Sequence, residues 1–592
     1  MLFGKYVNRF YAKYWYLFLL GALFLILVDY FQLLVPEIYG NIINGLKNNT
    51  LFNNGNKEIT KYALEILGIG LIMFVGRFGW RNTVFGCGIR IESDLRDDLY
   101  KKALKLDQKF YKENKTGGLL SYFTNDLEVI QRCFGQGTIL IIDALFLGVL
   151  AYIKMLRLSW RIALFALIPL LLILFGSFFI ERIMNKRFLE KQEAYEHLSD
   201  FANENFSGIS VIKAFVRESK EEERFSKINE ENKNVNLRFV KISIIVDVLF
   251  TFLLNGVVTI LIYFCSDEVI KGATLLDSTK TFDVGNMSEL ISYFDTLIWP
   301  MFAISQLINL RAQGNASLSR ITNILDTPIE IKDSKDVVKK EIEGEIEFKN
   351  LSFNYPDSKI DVLHNINLHI KKGEFVGIIG RTGAGKSTIV DILLRTYNLH
   401  EGELFIDGID IMKLPYKDVR DAIGYVPQDN FLFSDTISNN ISFAYSDIEK
   451  DKVEEAAKLS DVHDNIVGFK EQYKTILGER GVTLSGGQKQ RVSIARALIK
   501  DPQILILDDS VSAVDTKTEE DILTNLREIR KGKTTIIIAH RISTVKDLDK
   551  IVVLDNGSIS GIGTNDELLK TNSEYKELVR LQTLEREIEG GK

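Results

Sequence analysis

Apolar and polar positions divide the chain into two unlike halves. Up to about Asn323, long apolar runs alternate with charged segments; from about Ile342 the pattern is that of a soluble α/β domain. A membrane span needs about 20 mostly apolar residues. Six runs meet that need: Tyr16–Val35, Ala63–Val84, Thr138–Leu156, Ile162–Ile183, Ile242–Cys265 and Ile291–Leu310. Arg77 and Arg81 interrupt the second and Asp295 the sixth, so these two also fit buried soluble helices when taken alone. Basic loops stay on the cytoplasmic side. Lys5, Arg9 and Lys13 precede the first run, and long basic segments, Arg90–Arg132 and Lys186–Lys241, follow the second and fourth. Both termini and both segments are therefore expected inside. Lys154, Arg157 and Arg161 after the third run pull the other way, in a loop short enough to tolerate them. Heptad-like spacing in the two long segments predicts helices projecting into the cytoplasm. Each holds a small polar break: KTGGLLSYFTND (Lys115–Asp126) and ENFSGISVIKAFVRE (Glu204–Glu218).

The second half follows a charged, linker-like stretch, Asp333–Lys340. Strand-like segments at Ile342–Phe348, Val376–Ile379, Glu403–Ile406 and Ile504–Leu507, with helical stretches between them, predict an α/β domain. Composition changes this picture little. The mean hydropathy of +0.04 averages the two halves. A net charge of -6 over 592 residues gives no support to a nucleic-acid partner. Cys87, Cys133 and Cys265 lie far apart, without the spacing of a disulfide framework or a zinc site. The first apolar run is too long for a cleavable signal peptide and lacks a small-residue cleavage site.

The strongest chemical signal is VGIIGRTGAGKSTIVDIL, Val376–Leu393. An apolar strand runs into Gly380, four residues separate it from Gly385, Lys386 and Ser387, and a helix-like stretch follows to Leu394. That is the context of a phosphate-binding loop. Glycines let the backbone wrap a polyphosphate so that N–H groups and a helix N-terminus face the anion. Lys386 reaches the terminal phosphates and Ser387 ligates Mg²⁺. ILILDD (Ile504–Asp509) is a buried strand ending in two acids: Asp508 is placed to hold Mg²⁺ and Asp509 to act as general base or water-orienting carboxylate. LSGGQKQR (Leu484–Arg491) heads a helix whose Ser485 and Gly487 present donors to a γ-phosphate, although SGG alone also reads as an ordinary helix cap. Gln428 in YVPQD is a candidate Mg²⁺ or water ligand, and His540 after TTIIIAH a candidate γ-phosphate contact.

The order GRTGAGKST, YVPQD, GERGVTLSGGQKQR, ILILDDSVSAVD, IIIAHR resembles the ATP-binding cassette (ABC) transporters over essentially all of Ile342–Leu581. TGGLLSYFTND, SGISVIKAFVRE and LSWRIALFALIPL resemble the exporter branch, in which membrane domain and cassette share a chain. The resemblance implies an all-α six-helix transmembrane domain (1–325), a linker (326–341) and an α/β P-loop nucleotide-binding domain (342–592). It gives Tyr355 an adenine-stacking role. Gly380, Gly383, Gly385, Lys386, Ser387 and Thr388 form the phosphate loop, and Gln428 senses the γ-phosphate and Mg²⁺. Glu479 lies where the coupling segments are met. Ser485, Gly486, Gly487 and Gln488 close over ATP on an opposite subunit, Asp515 belongs to the D-loop, and His540 is the switch histidine. ATP and Mg²⁺ are the implied cofactors.

One departure matters. The family usually has Glu where this chain has Asp509. The shorter side chain withdraws the carboxylate by roughly 1 Å, and a misplacement of that size can cost on the order of 10²-fold in rate; the alternative is a harmless conservative change. DDSVSAVD resembles the chain of heterodimeric exporters whose own site is hydrolytically weak, while the intact LSGGQ would complete a competent site on its partner. The expectation is a half-transporter in the cell membrane, multi-pass, paired with a second half-transporter (a heterodimer ahead of a homodimer), exporting small amphipathic substrates by alternating access. A lipid flippase, a peptide exporter or an ATP-gated channel are the rival uses of the scaffold. Because the first span lies close to Met1, no cargo-trimming protease domain is expected before it. Asp29, Asp143, Asp247 and Asp295 fall within the spans; such acids face a cavity or a partner and suit cationic cargo, or else pair with Arg77 or Arg81.

Overall fold

The computed structural model describes all residues but 1, 49–55, 115, 273–280, 335, 357, 359, 446–447, 479–480, 482, 513–515 and 591–592. By its internal contacts the chain divides into two compact units, Met1–Leu104 with Lys115–Thr327, and Lys105–Asn114 with Pro328–Lys592.

The first unit is helical throughout. The first apolar run forms Trp15–Gln32 and continues past a break as Leu34–Lys47. The second forms Asn56–Trp80, a π-helical turn Arg81–Phe85, and Gly86–Ala103. The third is Gln136–Ile142, a π turn Asp143–Leu147, and Gly148–Leu158. The fourth lies in the 48-residue helix Trp160–Ser207, whose Ser159 cap accepts from Ile162 N–H. The fifth lies in the 54-residue helix Glu218–Lys271, stopped by Gly272 in the left-handed region (φ 64°). The sixth lies in Val284–Asp326, started by a capping box between Asp283 and Asn286. Five stretches are long and apolar enough to cross a membrane: Trp15–Lys47, Lys57–Ala103, Gly118–Leu158, Glu218–Lys271 and Val284–Asp326. The fourth run supplies the shorter Trp160–Gly176. At 1.5 Å per residue the two longest helices reach about 72 and 81 Å, far beyond a hydrocarbon core of ~30 Å. The first segment holds the end of Gly86–Ala103 and shorter helices such as Gln108–Glu113 and Leu127–Phe134, while the helices expected in Lys186–Lys241 are thus direct continuations of spans four and five. They are joined through Gly208, the short helix Ile209–Ala214 and a turn at Val216 (φ 50°).

Glycines set how closely the first two spans approach. A Cβ on Gly21 would lie 2.5 Å from Val84, and one on Gly76 2.6 Å from Val28. Leu25, Val84 and Ile139 form a buried cluster where the first three spans meet. One helical turn further along the same faces stand Asp29 and Asp143, both buried and close enough to interact electrostatically. Trp299 Nε1–H donates to Asp143 Oδ2 at 2.7 Å, while Asp29 Oδ2 is buried without a hydrogen-bond partner. Among the described residues neither acid has a cationic partner. Arg81 lies over the Trp80 ring, so the alternative of a pairing with Arg77 or Arg81 is not realised. Asp247 and Asp295 are exposed in the isolated chain.

The second unit holds two sheets. β1 (Ile346–Asn354), β2 (Asp361–Ile370), β4 (Leu404–Ile406) and β5 (Ile409–Asp410) form an antiparallel sheet in the order β2-β1-β4-β5. The larger sheet runs β10-β9-β3-β8-β7-β6, from β3 (Phe375–Gly380), β6 (Ile423–Val426), β7 (Ile504–Asp508), β8 (Thr534–Ala539), β9 (Lys550–Asp555) and β10 (Ser558–Gly563). All its pairings are parallel except β9 with β10. Every residue of β3, β7 and β8 is buried, which explains why polar residues in them are confined to their ends. Two sequence expectations need correction. β1 starts at Ile346, not Ile342, and extends to Asn354, because its ladder partner β2 begins opposite Asn354. β2 itself alternates buried and exposed residues and was not anticipated as a strand.

Candidate active site

Parallel strands carry ligands beyond their carboxyl ends, and register decides which residues leave the sheet together. Ile379 of β3 is level with Ala539 of β8, and Ile538 is level with Asp508 of β7. Gly380, His540 and Asp509 therefore leave three adjacent strands at one edge. Gln428 leaves the same edge after β6, whose Val426 pairs with Leu507.

After β3 the chain turns through Gly383 (φ 86°) and Gly385 (φ 94°), backbone that a side chain would strain, and enters the helix Lys386–Leu393. At Gly380 a Cβ would come within 2.3 Å of the Leu554 carbonyl. Lys386 is buried and donates from Nζ to the Gly380 and Arg381 carbonyls at 2.8 and 3.0 Å. Burial holds its pKa below the ordinary lysine value, against the pull of Asp508 and Asp509. Asp508 is buried too, which raises its pKa; the Ser387 hydroxyl hydrogen-bonds this carboxylate and opposes the rise. A serine hydroxyl and a carboxylate in contact are hard oxygen donors, the set that suits Mg²⁺ completed by phosphate oxygens. Among the described residues no group of three or more His, Cys, Asp or Glu forms a cage of its own. Mg²⁺ therefore fits here only together with a phosphate.

Asp509 has a left-handed backbone (φ 46°), which Asp tolerates better than most residues. Its backbone is fixed: the N–H donates to Ile538 O at 2.9 Å, and its carbonyl accepts from Ser512 Oγ at 2.9 Å and Gln490 Nε2 at 3.4 Å. Gln428 is exposed, and no described contact ties its side chain to Ser387 or Asp508. Thr388 is buried and bonded at 3.0 Å to the Tyr355 hydroxyl, which also donates to Asp391 at 3.2 Å. Tyr355 packs edge-on against Phe353 and Tyr397, and Lys112 Nζ lies 4.5 Å from its ring centre. Lys112 belongs to the short helix Gln108–Glu113 of the first basic segment and also donates to Tyr397 at 2.8 Å.

Ser485 caps the helix Gly486–Leu498 in a capping box: its Oγ accepts from Gln488 N–H at 3.3 Å, and its own N–H donates to Gln488 Oε1 at 3.0 Å. The bland reading of SGG is thus realised, yet Ser485 and Gly486 remain exposed at a free helix N-terminus. No described contact brings residues 485–488 to Lys386, so one chain does not assemble the whole set. Glu479 and Asp515 lie outside the described residues. Two contributors escaped the motif analysis: Lys112, and Gln582, whose amide bonds the His540 carbonyl at 2.6 Å. Neither sits in a recognisable string.

Residues 18–301 match the model of the ABC transporter transmembrane region, and residues 363–512 that of the ABC transporter family. A probable multidrug resistance ABC transporter ATP-binding/permease protein of Bacillus subtilis, YheI, is 35% identical over 99% of both chains. This chain belongs to the ABC transporter family. The multidrug resistance-like ATP-binding protein MdlA of Escherichia coli is 32% identical over 98% of this transporter and 96% of its own length. An ATP-dependent lipid A-core flippase of Syntrophus aciditrophicus is 35% identical over 91% and 88%. A solved bacterial Atm1-family ABC exporter with ATP bound shares 26% identity and a TM-score of 0.74, covering 97% of this transporter and 98% of that chain. The transporter is a membrane protein with an ATPase domain and drives export with ATP. Exporters of this family act as dimers in a lipid bilayer, as the incomplete site of the single chain requires.

Proposed function

We propose that this transporter is one half of a heterodimeric exporter, holding ATP at a slowly hydrolysing site of its own while completing its partner's competent site. The observation that carries this is Asp509. Its backbone is pinned by three hydrogen bonds, so side-chain length alone sets how far the carboxylate reaches. Lys386 pairs with the terminal phosphates, exchanging two carbonyl acceptors for anionic ones. Mg²⁺, when bound through Ser387, Asp508 and Gln428, neutralises charge on the phosphates. His540 donates to the γ-phosphate. Asp509 takes the proton of the attacking water as the bond from the γ-phosphorus to ADP breaks, and it does so poorly because it stops short. Tyr355 stacks on adenine with the ring face away from Lys112. Ser485, Gly486, Gly487 and Gln488 close on the partner's ATP, with the helix N-terminus facing its γ-phosphate.

Both termini face the cytoplasm in this reading, as the basic segments require. The cargo is amphipathic and cationic in this reading, which is supported by Asp29 and Asp143, buried without a cationic partner among the described residues. A second reading, a lipid flippase, is favoured by the relative of that name at 35% identity. ATP-dependent uptake of an amphipathic cation into inside-out vesicles, set against translocation of a fluorescent lipid, separates the two. Affinity purification followed by mass spectrometry tests the heterodimer. A second half-transporter with Glu at the Asp509 position supports it; recovery of this chain alone as an active dimer refutes it.

A further inference from the structure

The switch histidine stands on a segment with little structure of its own. β8 ends at Ala539, and a four-residue helix, Ile542–Val545, follows Arg541. Side chains from two other elements hold this segment. Gln582 Nε2 donates to the His540 carbonyl at 2.6 Å, and its Oε1 accepts from Ile542 N–H at 2.8 Å. One amide thus spans the two peptide groups flanking Arg541, and it satisfies an N–H that the start of a helix leaves without a partner. On the other side, buried Glu519 accepts from the Thr544 hydroxyl and lies 4.0 Å from the Arg541 guanidinium.

The element that carries Gln582 is itself anchored. The helix Ser573–Gly590 buries Tyr575, whose hydroxyl donates to Asn565 Oδ1 at 2.8 Å and whose N–H donates to Asn572 Oδ1 at 2.8 Å. Leu578 and Val579 pack on the same core as Tyr575. Gln582 follows Tyr575 by seven residues, two turns along the same face. Burial of the aromatic thus aims the amide at the segment after β8.

We propose that Gln582 is a positioning residue: its amide fixes the backbone on both sides of Arg541 and so sets the direction in which His540 meets a γ-phosphate. The proposal rests on the reading of His540 as the γ-phosphate contact. The C-terminal helix then becomes part of the nucleotide sensor, and Glu519, on the helix Thr516–Ile529 that follows the second acid of ILILDD, is the opposing stop.

The consequence is selective. ADP lacks the group His540 meets, so loss of the clamp reduces affinity for ATP and spares that for ADP. The test uses the assembled transporter with photoreactive ATP and ADP analogues, reading the nucleotide crosslinked to this chain. Gln582→Ala is expected to lower the ATP-over-ADP preference about tenfold, the effect of two lost hydrogen bonds, with ADP affinity changed by less than about twofold. Gln582→Glu adds a readout that a packing role would not move. Ionised, its carboxylate opposes the His540 carbonyl; neutral, a carboxyl donates and accepts as the amide does. Its preference is expected to match Gln582→Ala at about pH 8 and to recover towards wild type only as the pH falls to about 4.3, where a glutamate is half neutral. His540, Arg541 and Glu519 also face this segment and are common to both proteins, so the variant is read as its ratio to wild type at each pH. A wild-type preference in Gln582→Ala alongside a collapsed one in His540→Ala overturns the clamp and leaves the histidine's role standing. An unchanged preference in His540→Ala overturns both.

Discussion

Lengthening Asp509 by one methylene tests the weak-site reading at the residue that motivates it. Asp509→Glu advances the carboxylate by roughly 1 Å, a displacement worth on the order of 10²-fold in rate, or ~2.7 kcal/mol of barrier. The opposing effect is conformational. The residue has φ 46°, where Asp is several-fold enriched over most residues, so Glu costs about 0.6–1 kcal/mol of folding stability. The gain acts on the hydrolytic barrier and exceeds the loss, which acts on folding. The three backbone hydrogen bonds at Asp509 keep the main chain from drifting to absorb the longer side chain. The assay crosslinks a photoreactive ATP labelled on its α-phosphate to the turning-over transporter and asks what this chain retains. Wild type is expected to hold mostly uncleaved ATP through many turnovers, and Asp509→Glu mostly ADP. If wild type already holds ADP, or if Asp509→Glu leaves ATP uncleaved, the length argument is wrong.

Lys386→Ala removes the buried cation assigned to the terminal phosphates, and ATP affinity at this chain's site should fall ~10–100-fold in equilibrium binding; unchanged affinity refutes the assigned role. Chelating Mg²⁺ should stop hydrolysis, and Asp508→Asn should raise the Mg²⁺ concentration needed for ATP retention at this chain, read by titration; an unaltered requirement removes Asp508 from the metal site. Arg530 is buried and donates to Thr535 Oγ1 and to the carbonyls of Pro502, Gln503 and Thr534 at 2.8–3.3 Å, so Arg530→Ala should cost about 3 kcal/mol or more, seen as a thermal shift of several degrees. A shift of a degree or less would show that those carbonyls find other donors.

Elements with a strong local signature were legible in the sequence. The apolar runs appear as long helices, and Val376–Ile379, Ile504–Leu507 and TTIIIA lie within β3, β7 and β8, whose burial on both faces confines polar residues to the strand ends. The glycine turn after β3 was legible because its glycines answer to φ and close approach within a few residues. What depends on residues distant in the chain was not. β2 alternates because its sheet covers one face only, and its alternation was lost among polar neighbours. The acids in the spans were visible singly. Only the packing of Leu25, Val84 and Ile139 separates Asp29 and Asp143, which meet, from Asp247 and Asp295, which do not. Lys112 and Gln582 reach Tyr355 and the His540 carbonyl from distant parts of the chain, and no spacing rule connects them.

The central claim is that this chain's signature serves the productive site while its own second acid does not. ATPase rates of the assembled transporter bearing Ser485→Ala or Asp509→Ala test it most directly. Ser485 caps an exposed helix, which on this account is offered to the partner's ATP, so its loss should remove most turnover, about tenfold or more. Loss of Asp509 should remove less than about half, since the partner's site carries the flux through a closure in which this carboxylate has no part. Near-complete loss in Asp509→Ala, equal to that in Ser485→Ala, would contradict the account and make Asp509 an ordinary catalytic carboxylate of a symmetric enzyme.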